Sequence, residues 1–296
     1  MTANPPAAQA ESPPPSVDGI EVYIDGTGAE TIVMLHGWPD SYRLWDSTVE
    51  GLQQDYRCVR FTLPGFDTAR PARAMSLAAT TALIRRIIDT VSPDRPVTLL
   101  LHDWGCIYGF EYAARQPDRV ARIVAVDIGD HNSDAYLRAL STQAKLSIVA
   151  YQLWLAAAWY IKGPLGNAMT RKMIRALRCP SKPATPGWQQ NYPYAMQWFG
   201  LLGGFKQAAR VDPHCPTLYL YGQRKPFMFH SPAWLEKLAA RADCAAQGFD
   251  TGHWVMVQQP AAFNAAILSW LVNTPAPDNL LLRNVPSDSP PAILRE

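Results

Sequence analysis

Residues Thr98–Gly109 read TLLLHDWGCIYG, an apolar run that stops at a single acid, Asp103. Val97, Leu99, Leu100 and Leu101 make a mostly hydrophobic run, broken only by Thr98, the pattern of a buried strand. His102-Asp103-Trp104-Gly105 interrupts it, and helical spacing follows through Arg115. The pattern predicts a strand, a sharp turn and a helix, with a carboxylate at the tip of the turn. A carboxylate over a core costs several kcal/mol unless something stabilises it. One account is chemical: Asp103 is displayed at a nucleophile elbow. The other is local: an aspartate ahead of a helix accepts from first-turn N–H groups as an N-cap. As a nucleophile Asp103 needs no base, because a carboxylate with a pKa of about 3.9 is already ionised at neutral pH. It needs alignment with an electrophilic carbon and shelter from water.

The elements around this stretch repeat its grammar. Gly19–Ile24 and Thr31–Leu35 predict strands, the second ending in the turn His36-Gly37-Trp38-Pro39-Asp40. A helix is expected over Ser41–Gln53 and a strand over Arg57–Leu63, stopped by Pro64-Gly65-Phe66. Ser76 caps a helix to Val91 with Leu77, Ile84, Ile88 and Val91 as its inner stripe. Val120–Ile128 is the next strand, with Asp127 at its end. Successive βα units imply a parallel sheet with helices on both faces, and such sheets bind ligands at the carboxyl ends of their strands. Residues 131–210 break the rhythm with helical patterns, prolines and many aromatics, which predicts an inserted helical cap. Strands then resume at Thr217–Tyr221 and Cys244–Phe249, with helices over Ser231–Ala242 and from Pro260. The expected organisation is a core of residues 17–130 and 211–273, a cap of 131–210, a disordered leader of 1–16 and a tail of 274–296.

Composition narrows the class. The 296 residues can bury one large core, and a net charge of +2 with 18% charged residues points away from nucleic acid. No apolar run reaches the roughly 20 residues of a membrane span. The Pro/Ala-rich start lacks the basic and apolar regions of a secretory signal. Five scattered cysteines make neither a disulfide framework nor a metal-ligand pair. A cytoplasmic protein without metal or cofactor is the expectation.

HGWP at 36–39, HDWG at 102–105 and TGHW at 251–254 fall in order at strand ends, with the aromatic insertion between the last two. Residues 20–273 resemble the α/β-hydrolase fold, specifically its aspartate-nucleophile branch of epoxide hydrolases and, next, haloalkane dehalogenases. Two positions depart from the family pattern: Leu101 replaces a glycine, which implies a slightly opened turn, and Cys106 replaces a second glycine.

The resemblance implies a two-step reaction. Asp103 attacks an sp³ carbon to form an alkyl ester, and water activated by His253 hydrolyses that ester at the Asp103 carboxyl carbon. Trp38 and Trp104 are the backbone oxyanion donors. The acid that orients His253 often follows the strand here read as TLYLY, but this chain has Gly222-Gln223-Arg224-Lys225-Pro226 there. The alternative used in part of the family is the end of the strand after the nucleophile's helix, which is Asp127. Asp130 is the runner-up, with a solvated loop acid as its ordinary reading. Arg224 and Lys225 are expected to be structural or solvated, and His36 and His102 to bond loop backbone.

Epoxide opening also needs a proton donor for the alkoxide. Tyr151, followed by Gln152, and Tyr194, with Tyr192 close behind, match the family's two cap tyrosines; ordinary aromatic packing is the competing account. Gln152, Tyr192 and Trp254 are further candidates for contacting substrate. The expected partners are a small hydrophobic substrate and water. Trp38 stands where dehalogenases carry a polar halide ligand, which favours epoxide hydrolysis. Halide release by the same machinery, and a non-catalytic binder of small hydrophobes, are the alternatives.

Overall fold

The computed structural model describes residues 14–180 and 186–276. Eight strands form one sheet: β1 (Ser16–Val17), β2 (Ile20–Asp25), β3 (Thr31–Leu35), β4 (Arg57–Phe61), β5 (Val97–His102), β6 (Val120–Val126), β7 (Thr217–Gly222) and β8 (Ala245–Phe249). Their spatial order is β1-β2-β4-β3-β5-β6-β7-β8. From β4 to β8 every pairing is parallel, and β2 and β1 extend the edge antiparallel. The helices are α1 (Asp46–Leu52), α2 (Leu77–Val91), α3 (Trp104–Arg115), α4 (Asp134–Ala139), α5 (Thr142–Ile161), α6 (Gly163–Ala176), α7 (Tyr192–Phe199), α8 (Pro232–Ala239), α9 (Val255–Gln258) and α10 (Pro260–Asn273). Helices α4–α7 all lie in sequence between β6 and β7.

Strands β3, β5 and β6 are buried at every position, as their lack of polar alternation predicts. Successive side chains alternate between faces. Leu99, Leu101, Ile123 and Ala125 point to the side of α2 and α3, while Leu100, Val124 and Val126 point to the side of α1 and α10. The predicted stripe of α2 is buried, with Leu83 and Ile87 added to it. Each such side chain contributes about 1.5–3 kcal/mol on burial. Serine caps start the helices as composition suggests: Ser76 accepts from the Ala79 N–H at 3.1 Å, and Ser231 from the Trp234 N–H at 3.1 Å.

The departures are local. Ser41–Gln53 is a 3₁₀ turn over Tyr42–Trp45 followed by α1, a break that brings both Leu44 and Trp45 inward. Ser16, expected in the leader, pairs in β1, a two-residue strand too short to carry a period. The remaining leader expectation, residues 1–13, and the tail expectation beyond 276 lie outside the described residues. Among the described residues no helix is long and apolar enough to cross a membrane.

Candidate active site

Asp103 stands between β5 and α3 with φ 52° and ψ −123°. A non-glycine residue there stores about 1–3 kcal/mol of strain, which the surrounding contacts must offset. Its side chain makes no capping bond to α3, so the N-cap account is excluded. Two glycines let the chain close around it. A Cβ on Gly37 would sit 2.2 Å from Asp103 Oδ1, and one on Gly105 would sit 2.2 Å from the Leu35 carbonyl oxygen. The turn is therefore tight rather than opened. The bulk of Leu101 is taken up at Gly109, where a Cβ would lie 2.4 Å from Leu101 Cδ2.

Three strand ends converge on this carboxylate. The Trp38 N–H, beyond β3, donates to Asp103 Oδ1 at 2.6 Å. His253, in the loop after β8, places Nε2 3.4 Å from Asp103 Oδ2. On its other side His253 Nδ1 hydrogen-bonds Asp127 Oδ2, beyond β6. Asp127 is fully buried at φ 68°, and its Oδ1 accepts the Gly222 N–H at 2.9 Å. Asp130 does not reach His253. It is buried, and its oxygens accept the Ser231 N–H at 2.8 Å and the Ser231 and Ser133 hydroxyls at 2.6 and 2.5 Å. It is neither an orienter nor a solvated acid; it ties the β6 loop to the start of α8.

Of the two expectations for the basic pair, Arg224 takes the surface one and Lys225 the structural one, inside the site itself. Arg224 is exposed and pairs with Asp250 at 3.0 Å. Lys225 is buried and ion-pairs with Asp127 Oδ1. Solvation is the rule for a strand-end lysine, but here a buried carboxylate is the better partner. The absence of an acid after TLYLY, with a cation in its place, was the only signal in the sequence.

These contacts set the charges. Burial pushes the Asp103 carboxyl up, but His253 and the Trp38 N–H outweigh it, leaving it below the usual carboxylate value. Burial likewise acts against Asp127, and Lys225 with His253 brings it down. Burial lowers His253, yet the two flanking carboxylates raise it to about 9. His102 contacts the His253 carbonyl oxygen at 3.2 Å, and burial with the neighbouring imidazole lowers it to about 3. His36 accepts the Leu63 N–H at Nε2, 2.9 Å away, and approaches the Gly37 carbonyl oxygen through Nδ1. Both histidines bond backbone, as expected.

Helices α5 and α7 supply the aromatic side of the site. Tyr194 packs edge-to-face on Trp38 and Trp104, with centroids 6.0 and 5.1 Å away, and meets Tyr151 at 6.3 Å. Burial raises both phenols, and the Asp103 charge raises them further. Gln152 donates to the Tyr151 hydroxyl at 3.1 Å and accepts from the Trp198 indole at 2.9 Å, so it braces Tyr151. Tyr192 is turned away from Asp103: fully buried, it packs on Phe66 and Trp159, its hydroxyl beside Tyr108 and Thr80. Trp254 is not part of this aromatic cluster. It lies in the core facing α1 and α10, donates to Asp40 Oδ2 at 2.9 Å, and backs His253 at 4.9 Å. Residues not anticipated from sequence include Phe205, stacked on Trp104 at 5.5 Å, and Asn191, whose Oδ1 accepts the Trp38 indole at 2.8 Å. A groove of about 970 Å³ bordered by Tyr42, Phe66, Arg73 and Val257 includes neither Asp103 nor His253.

A doubly covered parallel sheet with an acid at a strained strand–helix turn, a histidine after the last strand and helices inserted after β6 defines a class, and residues 32–266 match the α/β hydrolase family model. The chain belongs to the α/β hydrolase family. It is 30% identical over 181 residues to a probable oxidoreductase EphD of Mycobacterium tuberculosis, a match covering 53% of this chain and 31% of that protein. The chain thus spans about a third of that relative's length. A cis-3-alkyl-4-alkyloxetan-2-one decarboxylase of Xanthomonas campestris is 25% identical over 274 residues, covering 83% of this chain and 89% of the relative. Among solved structures, an epoxide hydrolase of Bacillus megaterium superposes with a TM-score of 0.66 at 16% identity, covering 86% of this chain and 98% of that one.

Proposed function

We propose that the protein is an epoxide hydrolase that opens a small hydrophobic epoxide to a vicinal diol through an ester on Asp103. The observation that carries the reading is the division of the Asp103 carboxylate. Oδ1 is held by the Trp38 N–H at 2.6 Å, while Oδ2 faces His253 Nε2 at 3.4 Å.

Oδ2 of Asp103 forms a bond to a ring carbon as the carbon–oxygen bond of the epoxide breaks. The alkoxide takes a proton from Tyr151 or Tyr194. Asp103 loses its charge as it bonds to carbon, which removes the field that raises both phenols at the moment a donor is needed. The same loss lowers His253, which sheds its proton and resets the phenolate. Neutral His253 then takes a proton from water, and hydroxide adds to the Asp103 carboxyl carbon. The oxyanion forms at Oδ1, toward the N–H groups of Trp38 and Trp104. Collapse expels the diol, protonated by His253, and the regenerated carboxylic acid returns its proton to the imidazole.

Halide release is less well served. A departing halide needs converging N–H donors, and the Trp38 indole is occupied by Asn191. The Trp104 indole is buried with no hydrogen-bond partner among the described residues, which leaves one donor where two would be wanted. The aromatic, uncharged lining favours an apolar substrate. The name of the Xanthomonas relative adds one electrophile to the panel, the strained four-membered oxetan-2-one, which also offers an sp³ carbon to a carboxylate.

The test is turnover in ¹⁸O water with aryl and alkyl epoxides, haloalkanes and a cis-dialkyl oxetan-2-one, followed by mass spectrometry of the peptide bearing Asp103. Diol formation with label entering the Asp103 carboxylate over repeated turnovers is expected. Diol formation with an unlabelled Asp103 would remove it as nucleophile, halide release without diol would shift the reaction to dehalogenation, and binding without any turnover would leave a non-catalytic role.

A further inference from the structure

We propose that Lys225 is a positioning residue for the water-activating step: paired to Asp127 behind the imidazole, it cancels the one negative charge His253 still faces once Asp103 is an ester, and so leaves that imidazole free to accept a proton. The inference rests on Asp103 forming that ester.

The siting of Lys225 is specific. The loop after β7 is stitched to the loop of His253, with the Gln223 N–H donating to the Phe249 carbonyl at 2.9 Å and the Arg224 N–H to the Thr251 carbonyl at 2.8 Å. Those bonds hold the two neighbouring cations apart. The side chain of Arg224 is 64% exposed, whereas that of Lys225 is 7% exposed and points at a carboxylate with no exposure at all. The Lys225 ammonium also lies 5.4 Å from the Phe229 ring centroid, and that ring is 5.6 Å from His253. A buried ammonium is costly unless paired, so its place here is tied to Asp127.

The charged groups around His253 can be counted. Asp127 faces Nδ1 and Asp103 faces Nε2. His102, 4.5 Å away at the end of β5, is neutral, and Phe229 and Trp254 carry no charge. Lys225 stands behind Asp127, with His230 held neutral nearby by burial and by that ammonium. Burial lowers the Lys225 ammonium and Asp127 works to keep its proton; with that proton in place, two carboxylates balance Lys225 and an imidazolium in the resting enzyme, and the cluster is neutral. When Asp103 becomes an ester, Asp127 and Lys225 alone balance, and neutrality now calls for a neutral imidazole. Without Lys225 the count reverses: Asp127 would hold an imidazolium in the ester state, which cannot take a proton from water. The cation thereby makes the protonation state of His253 follow the state of Asp103.

Asp103→Asn stands in for the uncharged ester, and Lys225→Gln keeps an N–H donor for Asp127 while removing the charge. The His253 imidazole is titrated by NMR in Asp103→Asn and in the double variant, without substrate. Its midpoint is expected to rise by about one pH unit on loss of the lysine charge, and Lys225→Arg is expected to restore it. In otherwise wild-type enzyme, single-turnover decay of the ester formed from styrene oxide should show its acidic limb shifted upward in Lys225→Gln. Midpoints that coincide in the two Asp103→Asn backgrounds would overturn the role of Lys225. Failure of any epoxide to leave an adduct on Asp103 would instead overturn the ester reading, and the substrate-free titration still separates the two results. Should Lys225→Gln fail to fold, Lys225→Met with Lys225→Arg as its charged control gives the same comparison.

Discussion

The strand-end face and the inserted helices meet at the same site but are built from opposite materials. At the sheet edge Asp103, His253, Asp127 and Lys225 form a charged chain, each member held from a different loop. Above them Tyr151, Gln152, Tyr194 and Phe205 contribute aromatic surface and neutral hydrogen bonds. In the proposed reaction the contrast divides the labour: bond formation and water activation fall to the edge, and protonation of the leaving oxygen and selection of an apolar substrate fall to the helices. Charge can be concentrated at the edge because the parallel sheet is rigid and its loops supply N–H donors. The inserted helices contribute through shape and through phenols whose acidity answers to the charge below.

The largest break is expected at the proposed nucleophile. Asp103→Ala should lower kcat/KM by about 10⁴ or more, with near-native circular dichroism; retention of a tenth of the activity would place the nucleophile elsewhere. His253→Gln should cut turnover by about 10³–10⁴ while leaving the first step, so that intact-mass spectrometry finds a covalent adduct on Asp103. The same assay without an adduct would assign His253 to ring opening instead. On the aromatic side, Tyr151→Phe and Tyr194→Phe should each cost about 10–100-fold in ester formation, and the double variant far more than either. Ester hydrolysis should be spared, and equal losses in both steps would blur the division between the two regions.

A smaller effect separates the two acids beyond β6. Asp127→Asn should reduce turnover by about 10²–10⁴, whereas Asp130→Asn should stay within about threefold per folded molecule and lower stability by about 1–3 kcal/mol. Equal kinetic losses would mean the β6 loop acts as one unit. The pH dependence of stability follows from His253. Its folded value of about 9 lies above the ordinary 6.5, so the imidazolium stabilises the fold fully below about pH 6.5, and that contribution is lost as pH rises through 9. At about 1.4 kcal/mol per pH unit it is worth about 3 kcal/mol. Asp103 and Asp127 are lowered, so their contribution is present above about pH 4 and is lost on acidification. Denaturant melts of wild type and His253→Gln from pH 6 to 10 should converge in stability as pH rises; parallel curves would contradict the charge count.

Much of the edge was legible because its residues announce themselves. Apolar runs of three or four residues ending near Gly37-Trp38, Asp103 and Asp127 read as strand ends, and a parallel sheet puts strand ends together. Which of Arg224 and Lys225 is structural was not legible, because a sequence carries no record of which cation is solvated; the two are adjacent and identical in sign, and only the backbone of the loop separates them. On the helices, composition marked an aromatic segment but not its facing. Tyr192 and Tyr194 lie two residues apart on α7, about 200° around a helix, so one faces Asp103 and the other the body of the protein.

The chain by itself determined the order of its core elements, the helix caps at Ser76 and Ser231 and the acid at the end of β5, since these depend on periodicity and on neighbours a few residues away. Tertiary structure decided the rest: that Asp127 and not Asp130 meets His253, that Gly109 absorbs Leu101, and that a lysine closes the line of charge. Leu101 and Gly109 meet across the β5–α3 turn, whereas the contacts of Asp127, Asp130 and Lys225 join residues about 100 or more positions apart. At that range burial and the pairing of charges, rather than local preference, select which groups meet.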